Sequence, residues 1–141
     1  MSETLNCPPS PPVSLALAAG PISAVDLALF AAASGDHNLL HLDADAARAV
    51  GFEQPVVHGM LTMAHVGRMF TQHFGAGSVL RLQTRFTGSA VKGDTLHFQA
   101  TLLETHADHL RYDIKGTGAG GSPLVTGEAL VRPPTQPSAR G

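Results

Sequence analysis

One cysteine, one tyrosine and no tryptophan occur in 141 residues, and Asp, Glu, Lys and Arg together make up 14% of the chain. The lone Cys7 excludes an internal disulfide, and its setting among prolines offers none of the activating neighbours that a reactive thiol needs. A net charge of −2 with scattered Lys and Arg excludes the basic stripe that follows a phosphate backbone, so no nucleic-acid partner is expected. No apolar run approaches about 18 residues, and the N-terminus lacks the basic, apolar, small-residue order of a signal peptide. No membrane partner and a cytoplasmic location are therefore expected. No internal repeat is visible, and a chain of this length fits one domain able to bury roughly 68% of its unfolded surface.

What is present is organised in two halves. Residues 1–12 hold four prolines and read as a flexible arm; residues 133–141 read as a flexible tail, which leaves 13–132 as the domain. Val13 to Ala18 alternates as a short strand. Ser23 as N-cap, Asp26 three residues on, and Ile22 against Leu27 mark a helix start, and that helix runs to about Ser34. Its Ala31-Ala32-Ala33 run predicts close burial. A second helix is expected over Met60 to Phe74, with Met60, Met63, Ala64, Gly67, Phe70 and Phe74 on the core face and Gly75 ending it. After Gly77 the period changes to two: Leu80/Leu82/Thr84/Phe86, Leu96/Phe98/Ala100/Leu102, Leu110/Tyr112/Ile114 and Val125/Gly127/Ala129/Val131 predict a four-strand antiparallel meander. Helices first and strands afterwards indicate an α+β domain with a helix against one face of the sheet.

The chemistry sits between the two helices. In Ser34-Gly35-Asp36-His37-Asn38-Leu39-Leu40-His41 a glycine lets the helix turn sharply, and a carboxylate and an imidazole follow five residues apart. Asp36 and His41 are a candidate acid/base pair. His58-Gly59-Met60 opens the second helix, whose first N–H groups have no partner inside it. Taken singly, an aspartate after a glycine is a common turn residue, a loop histidine is usually solvated, and Asn38 suits an Asx turn. His37 and His41 have the spacing of a helical metal pair, but the sequence lacks the glutamate of H-E-x-x-H and a third ligand, so no metal is expected. Ser34 beside Asp36 lacks the G-x-S-x-G setting of a nucleophilic serine. His106 and His109 bracket a hairpin turn and should face solvent.

Together, Ser34-Gly35-Asp36-x-Asn38-x-Leu40-His41, Ala47 and the later His58-Gly59-Met60 resemble the signature of the MaoC-like dehydratases, the (R)-specific enoyl-CoA hydratases or hydratase 2. The similarity extends to the order of elements from about Val13 to Arg132. The family pattern has proline after the asparagine, where this chain has Leu39. The resemblance implies a hot-dog fold, an antiparallel sheet wrapped around a central helix at Met60 to Phe74, and a homodimer with one continuous sheet. It implies Asp36 and His41 as catalytic residues on one water and the Gly59 N–H as oxyanion donor; beside them, Asn38 is expected to hold the loop and His58 to shape the start of the second helix, with a substrate role second. It implies hydration of a 2-enoyl-CoA to the (R)-3-hydroxyacyl-CoA, or the reverse, with no cofactor beyond the coenzyme A of the substrate. Two alternatives stand beside it. One is a dehydratase acting on acyl-carrier-protein thioesters, with Arg68, Arg81, Arg85 and Lys92 as docking or phosphate-binding cations. The other is a non-catalytic hot-dog subunit that completes a partner's tunnel, a role that would need neither Asp36 nor His41.

Overall fold

The capping signals at Ser23 produce a helix where they are read. In the computed structural model, which describes residues 9–134, α1 spans Ala24–Ser34. The Ser23 hydroxyl accepts from the Asp26 N–H, and the Asp26 carboxylate accepts from the Ser23 N–H at 2.8 Å, a complete capping box that holds the Asp26 carboxyl below its usual range. Cys7, most of the proline-rich arm and most of the tail lie outside the described residues. The last residue of the arm is anchored: the Tyr112 hydroxyl, buried and pushed up to about 12 by that burial, donates to the Pro12 carbonyl at 2.8 Å.

Among the described residues there are five strands, β1 Ser14–Ala19, β2 Val79–Phe86, β3 Leu96–Thr105, β4 Leu110–Thr117 and β5 Pro123–Val131. They form one antiparallel sheet in the order β1-β3-β4-β5-β2. Two further helices, α2 Ala44–Ala49 and α3 Gly59–Phe74, complete the domain. The period-two pattern of β3, β4 and β5 holds, with Leu96, Phe98, Ala100, Leu110, Tyr112, Ile114, Val125, Ala129 and Val131 all buried against α3 in one core. The sheet wraps around α3, and the α+β hot-dog architecture is as the resemblance implied. His106 and His109 close the β3–β4 turn, His106 N–H to His109 carbonyl at 2.9 Å.

Four expectations are corrected. The meander holds only for β3-β4-β5, because β1 occupies the free edge of β3 and β2 pairs with β5 instead. A bulge between Val79 and Arg81 also turns Leu80 outward, so it leaves the face shared by Leu82 and Thr84. On α3 the buried stripe is Thr62, Val66, Met69 and Phe70, with Phe74 half-buried, while Met60 is 58% exposed and Ala64 is also exposed. The helix is rotated toward its β-branched and aromatic positions, since Phe70 and Phe74 fit beside Tyr112 with ring centroids 5.5 and 6.0 Å away. On α1 only Leu27 and Ala31 are buried; Ala32 and Ala33 face outward beside exposed Val25 and Leu29.

The crossing from β2 to β3 positions the site. Residues 87–95 run across one end of the sheet and are tied to it by Thr87 N–H to Leu124 carbonyl at 2.9 Å. Val57 N–H donates to Ala90 carbonyl at 2.8 Å, Lys92 N–H to Pro55 carbonyl at 2.8 Å, and Val56 pairs with Val91 as an isolated bridge. The segment leading into α3 is thereby held as if it were a short strand.

Candidate active site

Gly35 ends α1 with φ +78, a left-handed turn that needs no Cβ, and its N–H donates to the Ala31 carbonyl at 2.9 Å. Asp36 thus stands at a corner. The Asp36 N–H donates to Ser34 Oγ at 3.2 Å, so Ser34 supports the corner. Asn38 makes the expected Asx turn: its Oδ1 accepts from the Leu40 N–H at 3.0 Å, and its own N–H donates to Asp36 Oδ1 at 3.3 Å. A short 3-10 turn, Leu39–His41, then brings the imidazole back over the carboxylate. His41 Nε2 lies 3.5 Å from Asp36 Oδ2, with the histidine side chain 12% exposed and the aspartate 50%.

The tautomer of His41 follows from its other nitrogen. Nδ1 is 2.7 Å from the Val56 carbonyl, and a carbonyl only accepts, so Nδ1 carries a hydrogen and, in the neutral imidazole, Nε2 is the atom with the lone pair, on the side of Asp36. The crossing segment that fixes Val56 therefore fixes the chemistry of His41. No sequence signal marks Val56, because its contribution is a main-chain oxygen.

His58 is 1% exposed and belongs to the same cluster. It was expected to shape the start of α3, yet its side chain makes no capping bond. Instead Nε2 donates to the Asp36 carbonyl at 3.2 Å, and the ring stacks on His41 at 3.8 Å between centroids and 21° between planes. Phe30 meets it edge-on at 4.9 Å. Burial pushes His58 below the ordinary histidine range.

Gly59 begins α3, and its N–H makes no hydrogen bond among the described residues. A Cβ there would lie 3.2 Å from the Phe86 ring, so glycine keeps the helix end open. His41, Gly59, Thr62, Phe86, Ala90 and Leu124 are among the residues lining a cavity of about 180 Å³ at this point. The cavity is bordered by the His41 imidazole and by the start of α3 at Gly59, and Asp36 stands on the other side of His41, outside the lining.

Asp36, His41 and His58 also bring potential metal-ligand atoms within 4.8 Å of one another. A zinc ion needs lone pairs that converge at about 2.0–2.1 Å. The two rings lie face to face at 3.8 Å between centroids, and His41 Nδ1 and His58 Nε2 are both committed to carbonyls, which leaves one nitrogen of each ring. His37 is exposed and lies before a 3-10 turn, so its i, i+4 relation to His41 puts no second imidazole beside it.

Leu39 is 60% exposed. Its N–H makes no hydrogen bond among the described residues, it opens the 3-10 turn, and the preceding Asn38 has φ −58 and ψ 127, a conformation that tolerates a following proline. Leu39→Pro is expected to stabilise the fold by about 0.4–1 kcal/mol with activity retained. Thermal melting decides this, and a loss of stability would mean that the loop moves away from the backbone just described.

The MaoC like domain model matches residues 10–118. The (R)-specific enoyl-CoA hydratase of Aeromonas caviae is 36% identical over 115 residues, which cover 79% of this chain and 86% of that protein. A probable enoyl-CoA hydratase 2 of Dictyostelium discoideum is 29% identical over 108 residues, 74% of this chain and 36% of its own length, so the chain spans little more than a third of that relative. The unliganded R-hydratase of Pseudomonas aeruginosa superposes with a TM-score of 0.81 at 30% identity, over 87% of this chain and 81% of the other.

Proposed function

The chain belongs to the MaoC-like family, and on that premise we propose that it is a hydro-lyase that reversibly adds water to a 2-enoyl-CoA, giving the (R)-3-hydroxyacyl-CoA. The observation that carries this reading is the Asp36–His41 pair, 3.5 Å apart, beside the open N-terminus of α3. A water donating to both groups is held at one place. As its oxygen bonds to C3 of the enoyl group, its proton passes to the pair, the C2=C3 π electrons move toward the thioester, and a proton returned from the pair forms the C2–H bond. The negative charge that gathers on the thioester oxygen is met by the Gly59 N–H and the partial positive end of α3. Water is added and no electrons are exchanged, so the step calls for no redox cofactor; coenzyme A enters as part of the substrate.

The competing carrier is an acyl-carrier-protein thioester. Arg81 and Arg85 are exposed along β2, but Arg68 lines a separate groove between α1 and α3 with Asp26 and His65, so the cations suggested for docking are divided. We further propose a homodimer: β2 ends the sheet with an unpaired edge, and Phe86 at its end is 47% exposed beside Gly59. The test is a panel of 2-enoyl-CoA and enoyl-carrier-protein substrates, read as loss of enone absorbance in fractions separated by sedimentation. Turnover of the coenzyme A series in the dimeric fraction is expected. Activity in a monomer removes the dimer, and no enone loss with any substrate removes the hydratase.

A further inference from the structure

His58 is a buried titratable side chain at the site to which the proposed chemistry gives no part. It is 1% exposed, and its Nδ1 is buried without a hydrogen-bond partner among the described residues. Its Nε2–H points at the main-chain carbonyl of Asp36, 22 residues away in sequence, and its ring lies flat against His41. A carbonyl oxygen accepts and cannot donate, so Nε2 carries the hydrogen and Nδ1 holds the lone pair. A second proton at Nδ1 would bury a charge and an N–H with no acceptor, which is costly.

We propose that His58 is a positioning residue for the hydration: a neutral imidazole that fastens the Asp36 corner through its Nε2–H and gives His41 the flat face on which it rests. This rests on the hydratase reading. The corner needs such a fastening, because the Asp36 carboxylate is half exposed and accepts only the Asn38 N–H at 3.3 Å among main-chain donors of the described residues. The Leu39 loop has no proline to stiffen it. His41 is held at one edge by the Val56 carbonyl and on one face by His58, while Phe30 keeps the His58 ring from tilting away. When His41 takes a proton, the cation lies over a neutral ring face and no second cation adjoins it.

His58→Leu is expected to lower kcat on the order of 10²-fold, the cost of a displacement near 1 Å, with KM changed far less. In His58→Gln an amide N–H can reach the Asp36 carbonyl, and about tenfold of the loss should return, the worth of one hydrogen bond. Equal kcat for the Leu and Gln variants, or wild-type kcat in the Leu variant, overturns the proposal. Histidine-ring ¹⁵N spectra of the unsubstituted protein give a reading that needs neither substrate nor a folded variant. A protonated Nε2 with a bare Nδ1 at His58 is expected, and the opposite tautomer or a doubly protonated ring overturns the proposal. If the unsubstituted chain hydrates nothing, the hydratase reading has failed, and the ring tautomer still decides the part of His58.

Discussion

Asp36→Asn should lower the rate of hydration by on the order of 10²- to 10⁴-fold and leave the fold in place. The substitution keeps a carbonyl oxygen for the Asn38 N–H and removes the negative charge and the basicity. Half of the Asp36 side chain is exposed, so little packing is lost. His41→Ala should lose a similar factor. It also leaves the Val56 carbonyl without its donor, which costs about 1–3 kcal/mol of stability, so melting has to be measured beside the kinetics. If both groups act on a single water, the double variant is little worse than the poorer single one. Multiplicative losses would separate the two roles, and near-full activity in either single variant would remove that residue from the chemistry.

Phe70→Ala is expected to destabilise the protein by about 3–5 kcal/mol. Phe70 is fully buried in the stripe by which α3 meets the sheet, and its ring lies edge-on to Tyr112 with centroids 5.5 Å apart. Truncation removes a large apolar surface and opens a space that the five-stranded sheet cannot close by small shifts. Against a total stability of about 5–15 kcal/mol for a domain, this is a large fraction, and at roughly 3 °C per kcal/mol the melting temperature should fall by about 9–15 °C. The consequence reaches the site, because α3 carries Gly59 at its first residue. A loss below about 1 kcal/mol would show that α3 does not bear on the sheet through this ring.

Most local features were legible in the residues. The capping box at Ser23, the left-handed exit at Gly35, the Asx turn at Asn38 and the alternation in β3, β4 and β5 each depend on side chains a few positions apart, so their patterns survive in one dimension. The short α2 was missed although Asp43 caps it, since six residues show less than two turns of periodicity. The two-residue repeat of β2 told that it was a strand, and its bulge at Leu80 was invisible because a bulge is a property of pairing.

Partners distant in sequence were not legible. Period-two alternation names the buried face of a strand and is silent on its neighbour, so nothing in residues 79–86 places β2 beside β5. The pairing of Asp36 with His41 is local and could be read, being five residues long. The part of Val56 rests on a carbonyl, which every residue possesses, and that of His58 rests on a corner 22 residues earlier, and both exist because the β2–β3 crossing holds the entry to α3 against the loop. Local hydrogen bonds and periodicity are encoded near the residues that use them, whereas the convergence of a site comes from how the core closes, and it is the closing of this sheet around α3 that sets His58 under His41.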